Sequence, residues 1–94
     1  FKEYPTALEY LEKALHLRET QFSSIQDESL VILYTYLGLV KTKLKEHLHA
    51  LTSYDQALMI GQTIFPAGHT KLTECFTNLG ICYRELKDYQ KAFD

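Results

Sequence analysis

The apolar residues of this chain recur at helical intervals. Tyr34, Leu37 and Leu44 fall three or seven residues apart, and Phe76, Leu79, Tyr83 and Leu86 fall three or four apart. Residues so spaced share one face of an α-helix, because about 3.6 residues complete each turn. Strand-like alternation is absent. The short apolar run from Leu30 to Leu33 continues into a helical pattern through Leu44, so it also reads as helix. These patterns predict helices at about residues 5–18, 28–45, 47–61, 70–86 and 88 onward. Pro5 and Pro66 stand where a helix can start or a loop can turn. Asp27-Glu28 suits the positive end of the second helix. Lys45-Glu46-His47 and Lys87-Asp88-Tyr89 are short polar links, and a short link makes its two helices pack antiparallel.

The pattern also repeats at long range. Tyr34-x-x-Leu37-Gly38 returns as Phe76-x-x-Leu79-Gly80, 42 residues on, and an alanine follows each glycine by twelve residues, at Ala50 and Ala92. Leu44, Lys45 and Glu46 return as Leu86, Lys87 and Asp88. A third, partial copy opens the chain: Ala7-Leu8 and Ala14-Leu15 align with Ala50-Leu51 and Ala57-Leu58 at an offset of 43. A helix pair repeated at this period is one supersecondary unit stacked on a copy of itself. Glycine inside the first helix of each unit lets a neighbouring helix come close, so Gly38 and Gly80 are both expected at tight helix contacts. The chain reads as one segment, residues 1–94, cut from a longer array. Residues 1–19 are the second helix of a partial repeat and 28–61 a full repeat. Residues 70–94 are the first helix of the next repeat and the start of its second.

These residues resemble the tetratricopeptide repeat, whose pattern asks for a large aromatic, Leu-Gly, Tyr, Ala with an aromatic, and a second Ala. Tyr34, Leu37, Gly38, Ala50, Tyr54 and Ala57 meet it, as do Phe76, Leu79, Gly80, Tyr83 and Ala92. Lys41 stands where Tyr83 stands in the next copy, Leu11 stands where Tyr54 stands, and no proline closes the helix near Gln62. The period exceeds the family's usual length of about 34. The longer form is similar to the kinesin light chain subclass, as is Ile64-Phe65-Pro66-Ala67-Gly68-His69 ahead of Thr77-Asn78-Leu79-Gly80. The resemblance implies an all-α fold: an antiparallel helix-pair solenoid wound into a right-handed superhelix. It implies that further repeats cover both ends.

Composition narrows the chemistry. The chain is 46% hydrophobic with a net charge of −2 and no basic stripe, so it lacks the electrostatic footprint of a nucleic-acid binder. No stretch approaches the roughly 18–20 apolar residues of a membrane span. Cys75 and Cys82 are seven apart on one helix, about 10 Å by helix rise, which exceeds the roughly 7 Å reach of a disulfide. They read as small buried hydrophobes, and free thiols suit a reducing, cytoplasmic compartment. His47-x-His49 places two imidazoles about 200° apart around a helix, too far apart to hold one ion. No catalytic serine elbow, phosphate loop or metalloprotease helix occurs, so neither enzyme activity nor a metal or other cofactor is expected.

Function therefore falls to the surface of the stack. The resemblance implies that the first helix of each repeat lines a concave groove for a peptide segment of a partner. Position by position, that groove would take Thr35, Tyr36, Leu39, Thr42 and Lys43 from one repeat, and Thr77, Asn78, Ile81, Arg84 and Glu85 from the next. Asn78 matches a groove asparagine that hydrogen-bonds peptide backbone, while Lys43 and Arg84 would favour an acidic group. Two other roles fit the same pattern: a peptide-sensing regulatory domain of a larger signalling protein, and a structural spacer or oligomerisation segment.

Overall fold

The computed structural model describes residues 3–21 and 26–93. Four helices follow one another: α1 (Tyr4–Gln21), α2 (Glu28–Lys43), α3 (His47–Ile64) and α4 (Thr70–Phe93). Among the described residues there is no strand. Each helix packs on its neighbour in sequence, α1 on α2, α2 on α3 and α3 on α4. The α2/α3 and α3/α4 pairs are antiparallel. Along α2 and α3, Lys41 meets Ser53 while Gly38 meets Tyr54. Along α3 and α4, Cys82 reaches the carbonyl of His47 while Gly61 meets Leu72. The fold is the all-α stack of helix pairs that the repeat implies.

Local chemistry explains the boundaries. The Asp27 carboxylate caps α2 by accepting from the Leu30 N–H at 3.3 Å, and it also accepts from the Ser29 hydroxyl at 2.7 Å and from Arg18 at 3.0 Å. One side chain thus satisfies an orphan N–H of α2 and ties it back to α1. At the other end of α2, the Glu46 N–H bonds to the Lys41 carbonyl and the Lys45 N–H to the Thr42 carbonyl. That is a Schellman ending, and it puts Lys45 at φ 66, in the left-handed region glycine usually occupies. In the longer connector, Gly68 takes φ 85, and the Phe65 and His69 rings stack at 4.2 Å.

Small residues set the helix spacing. Ala50, Ala57, Gly38 and Gly61 are all buried. A Cβ built on Gly38 would stand 2.5 Å from Tyr54 Cε1. Two buried clusters result. Leu30 and Val31 meet Ala57, Ile60 and Cys75, while Ala50 and Tyr54 meet Leu79 and Cys82. Burial leads the causes that raise both thiol pKa values, followed by the nearby carboxylate of Glu74 for Cys75 and of Glu85 for Cys82.

Two expectations are corrected. The link predicted at Lys87-Asp88-Tyr89 does not form, and α4 runs unbroken for 24 residues. Leu44-Lys45-Glu46 and Leu86-Lys87-Asp88 are nearly the same phrase, yet only the first turns. Turning strains one residue, and at Lys45 that cost is offset by burying Ala50, Tyr54 and Ala57 of the helix that follows. Continuing α4 keeps the i to i−4 bonding. Gly80 is the second correction. It is exposed, and a Cβ there would meet nothing within 4 Å. Gly38, by contrast, lies against the ring of Tyr54. Phe76 and Tyr83, each 56% exposed, lie open on the same helix. The packing expected of Ala92 lies outside the described residues.

Candidate functional site

Helices α2 and α4 line a hollow of about 420 Å³. Its two walls differ in chemistry. From α2 come Val31, Ile32, Thr35, Tyr36 and Leu39. Ile32, Tyr36 and Leu39 follow helical spacing, so they form one apolar stripe. Tyr36 is 53% exposed and Leu39 38%, large apolar surface left in water. From α4 come Thr70, Thr73 and Thr77 in one row, with Lys71, Glu74 and Asn78 beside them.

The polar atoms of the hollow are partly committed. The Thr35 hydroxyl donates to the Val31 carbonyl and the Thr77 hydroxyl to the Thr73 carbonyl, each at 2.8 Å. Their protons are used, but their oxygens remain able to accept. Lys71 Nζ and Glu74 Oε1 stand 3.8 Å apart and largely cancel. Asn78 is half-buried, and its carboxamide forms no hydrogen bond among the described residues.

Of the ten residues proposed for the groove, Thr35, Tyr36, Leu39, Thr77 and Asn78 line this hollow. The other five do not. Thr42 faces α3: its hydroxyl donates to the Gly38 carbonyl at 2.8 Å, and its oxygen lies in hydrogen-bond contact with Tyr54. Glu85 turns to the other side of α4, where its Oε1 lies 4.0 Å from Nδ1 of the buried His47. Lys43, Ile81 and Arg84 are exposed beyond the end of the hollow. The hollow thus sits about one helical turn nearer the helix starts than the sequence reading placed it. Sequence reasoning missed Val31, Ile32, Thr70, Lys71, Thr73 and Glu74. The threonines at 70, 73 and 77, three and four apart, were the available signal.

His47 is buried while the His49 side chain is 74% exposed, so the two imidazoles face different surroundings. No three His, Cys, Asp or Glu side chains gather to hold a metal among the described residues. Nor is any helix among the described residues long and apolar enough to cross a membrane. Against known families, residues 28–94 match the tetratricopeptide repeat. No curated protein and no solved structure matches the chain.

Proposed function

Because this chain belongs to the tetratricopeptide repeat family, whose repeats generally mediate protein–protein interaction, we propose that it is a non-catalytic scaffold that holds a peptide segment of a partner in the hollow between α2 and α4. One observation carries this reading: an apolar stripe and a polar row face each other across a space large enough for a short peptide. An extended peptide presents the same two chemistries, side chains and backbone amides. Tyr36, Leu39 and Ile32 would take the side chains. The Asn78 carboxamide and the threonine oxygens would take the backbone N–H groups, with Ile81 extending the apolar edge. We assign the chain to the longer-period, kinesin light chain-like form, on its 42-residue spacing and the Phe65–His69 connector. A cytoplasmic setting is part of the same proposal, supported by two free buried thiols.

Calorimetry on a peptide captured by this chain tests the assignment. Buried aromatic anchors dominate interface energies, so Tyr36→Ala and Asn78→Ala should each weaken binding by more than about 1 kcal/mol. Gln56→Ala, exposed on α3, should leave binding unchanged. Loss on Gln56→Ala with Tyr36→Ala neutral would move the site to the opposite face.

A further inference from the structure

The hollow's charge balance says what kind of peptide it takes, granted the scaffold reading above. Of its lining residues only Lys71 and Glu74 are charged, and they are paired at 3.8 Å. Lys43 and Arg84, the cations that pointed to an acidic ligand, lie outside it. A ligand carboxylate entering here meets no free cation. It must draw Lys71 away from Glu74 and leave that carboxylate alone, so one ion pair is exchanged for another with no net gain. A ligand ammonium meets the mirror problem. Any charge drawn against Tyr36 and Leu39 loses water without gaining a partner. What the walls do offer is apolar surface on α2, acceptor oxygens on Thr35 and Thr77, and the uncommitted carboxamide of Asn78.

We infer that the α2/α4 hollow selects an uncharged peptide segment, carrying branched or aromatic side chains toward α2, and that the Lys71–Glu74 pair holds charged segments out. The pair is a specificity element rather than a stability element. On an exposed helix surface such a pair contributes little to folding, whereas its neutrality sets which sequences gain by binding. Breaking it should change the preference in a direction that depends on which partner is removed. Glu74→Gln leaves Lys71 unpaired and gives the hollow a positive charge. Lys71→Gln leaves Glu74 and gives it a negative one.

The test uses this chain and three sets of synthetic random octapeptides on one array. One set is drawn from Leu, Ile, Phe, Tyr, Ser, Thr, Asn and Gln, one adds two Asp or Glu per peptide, and one adds two Lys or Arg. Neutral peptides should dominate the wild-type hits. The strongest hit should change affinity by less than about threefold when salt rises from roughly 0.05 to 0.5 M, because no net charge is screened. Glu74→Gln should bring acidic peptides up, and Lys71→Gln basic ones, by up to about fivefold, the size of a single ion pair at a solvent-exposed site. If acidic peptides dominate on the wild type, lose affinity in salt and still need Tyr36, the charge inference falls while the scaffold reading stands. If no set binds, or binding is indifferent to Tyr36→Ala and Asn78→Ala, both fall.

Discussion

Gly38 and Gly80 occupy the same position of the repeat, yet alanine should act on them with opposite sign. Both lie inside helices, so each exchange gains the helix preference of alanine over glycine, about 0.8–1.0 kcal/mol. At Gly80 nothing else changes, since its Cβ position is empty to 4 Å. At Gly38 the new methyl would stand 2.5, 2.6 and 2.8 Å from Cε1, Cδ1 and Cζ of Tyr54. Ordinary carbon contact is about 3.5–4.0 Å, so the ring must retreat by roughly 1 Å. It has little room, because Tyr54 is 3% exposed and packs with Ala50, Leu79 and Cys82. Overpacking of this kind costs about 1–3 kcal/mol. The propensity gain is common to both variants and cancels in their difference, leaving the clash alone. Gly80→Ala should therefore be the more stable of the two by about 1–3 kcal/mol. For a chain of this size that separates the melting temperatures by roughly 4–8 °C per kcal/mol. Urea titration followed by far-ultraviolet circular dichroism measures it. Adding Tyr54→Leu to Gly38→Ala should recover part of the loss, since Leu11 fills the matching place in the first partial repeat. Equal stabilisation by the two alanines would refute the argument, because it would mean Tyr54 does not fix the helix spacing.

Three further outcomes follow from local chemistry. Lys45→Gly should stabilise by about 0.5–1 kcal/mol by relieving a left-handed lysine, whereas Lys87→Gly, inside α4, should destabilise by up to about 1 kcal/mol; paired denaturation curves decide. Cys75 and Cys82 should react slowly with a thiol reagent at mildly alkaline pH, since burial raises both pKa values and keeps them protonated, while in denaturant both should react fast. Asp27 is held below its usual 3.8 by the Ser29 hydroxyl first and Arg18 next. A depressed carboxyl stabilises the fold above its unfolded pKa and loses that contribution as pH falls through the folded value. Wild type should thus exceed Asp27→Ala in stability near neutral pH, and the gap should shrink below about pH 4.

Much of the architecture was legible because it follows from period alone. Tyr34, Leu37, Ala50 and Tyr54 announce a helix pair, and the structure brings Gly38 and Tyr54 into contact as the spacing requires. That α4 runs on past Leu86 was not legible, because a turn at a lysine depends on how much the following helix can bury. That is a property of residues elsewhere, not of the phrase Leu-Lys-Asp. The hollow was half legible. Its apolar side follows from the stripe through Tyr36 and Leu39, but its position along α4 depends on where the long connector delivers Thr70. Glu85 and Lys43 hold equivalent repeat positions, yet one turns toward His47 and the other toward solvent. No local pattern distinguishes them.

Leu58 touches both buried clusters, and this has a mechanical consequence. Val31, in the floor of the hollow, belongs to the first cluster, and Cys82, near the far end of α3, belongs to the second. A side chain shared by both ties their fluctuations together. Loosening either cluster opens space beside Leu58, so an opening that frees Leu58 disturbs both clusters. A peptide that immobilises Tyr36 and the hollow's floor should then slow amide exchange not only in α2 but also around Cys82, which it never touches. Binding at the hollow would then register along the stack as stiffness rather than as a displacement.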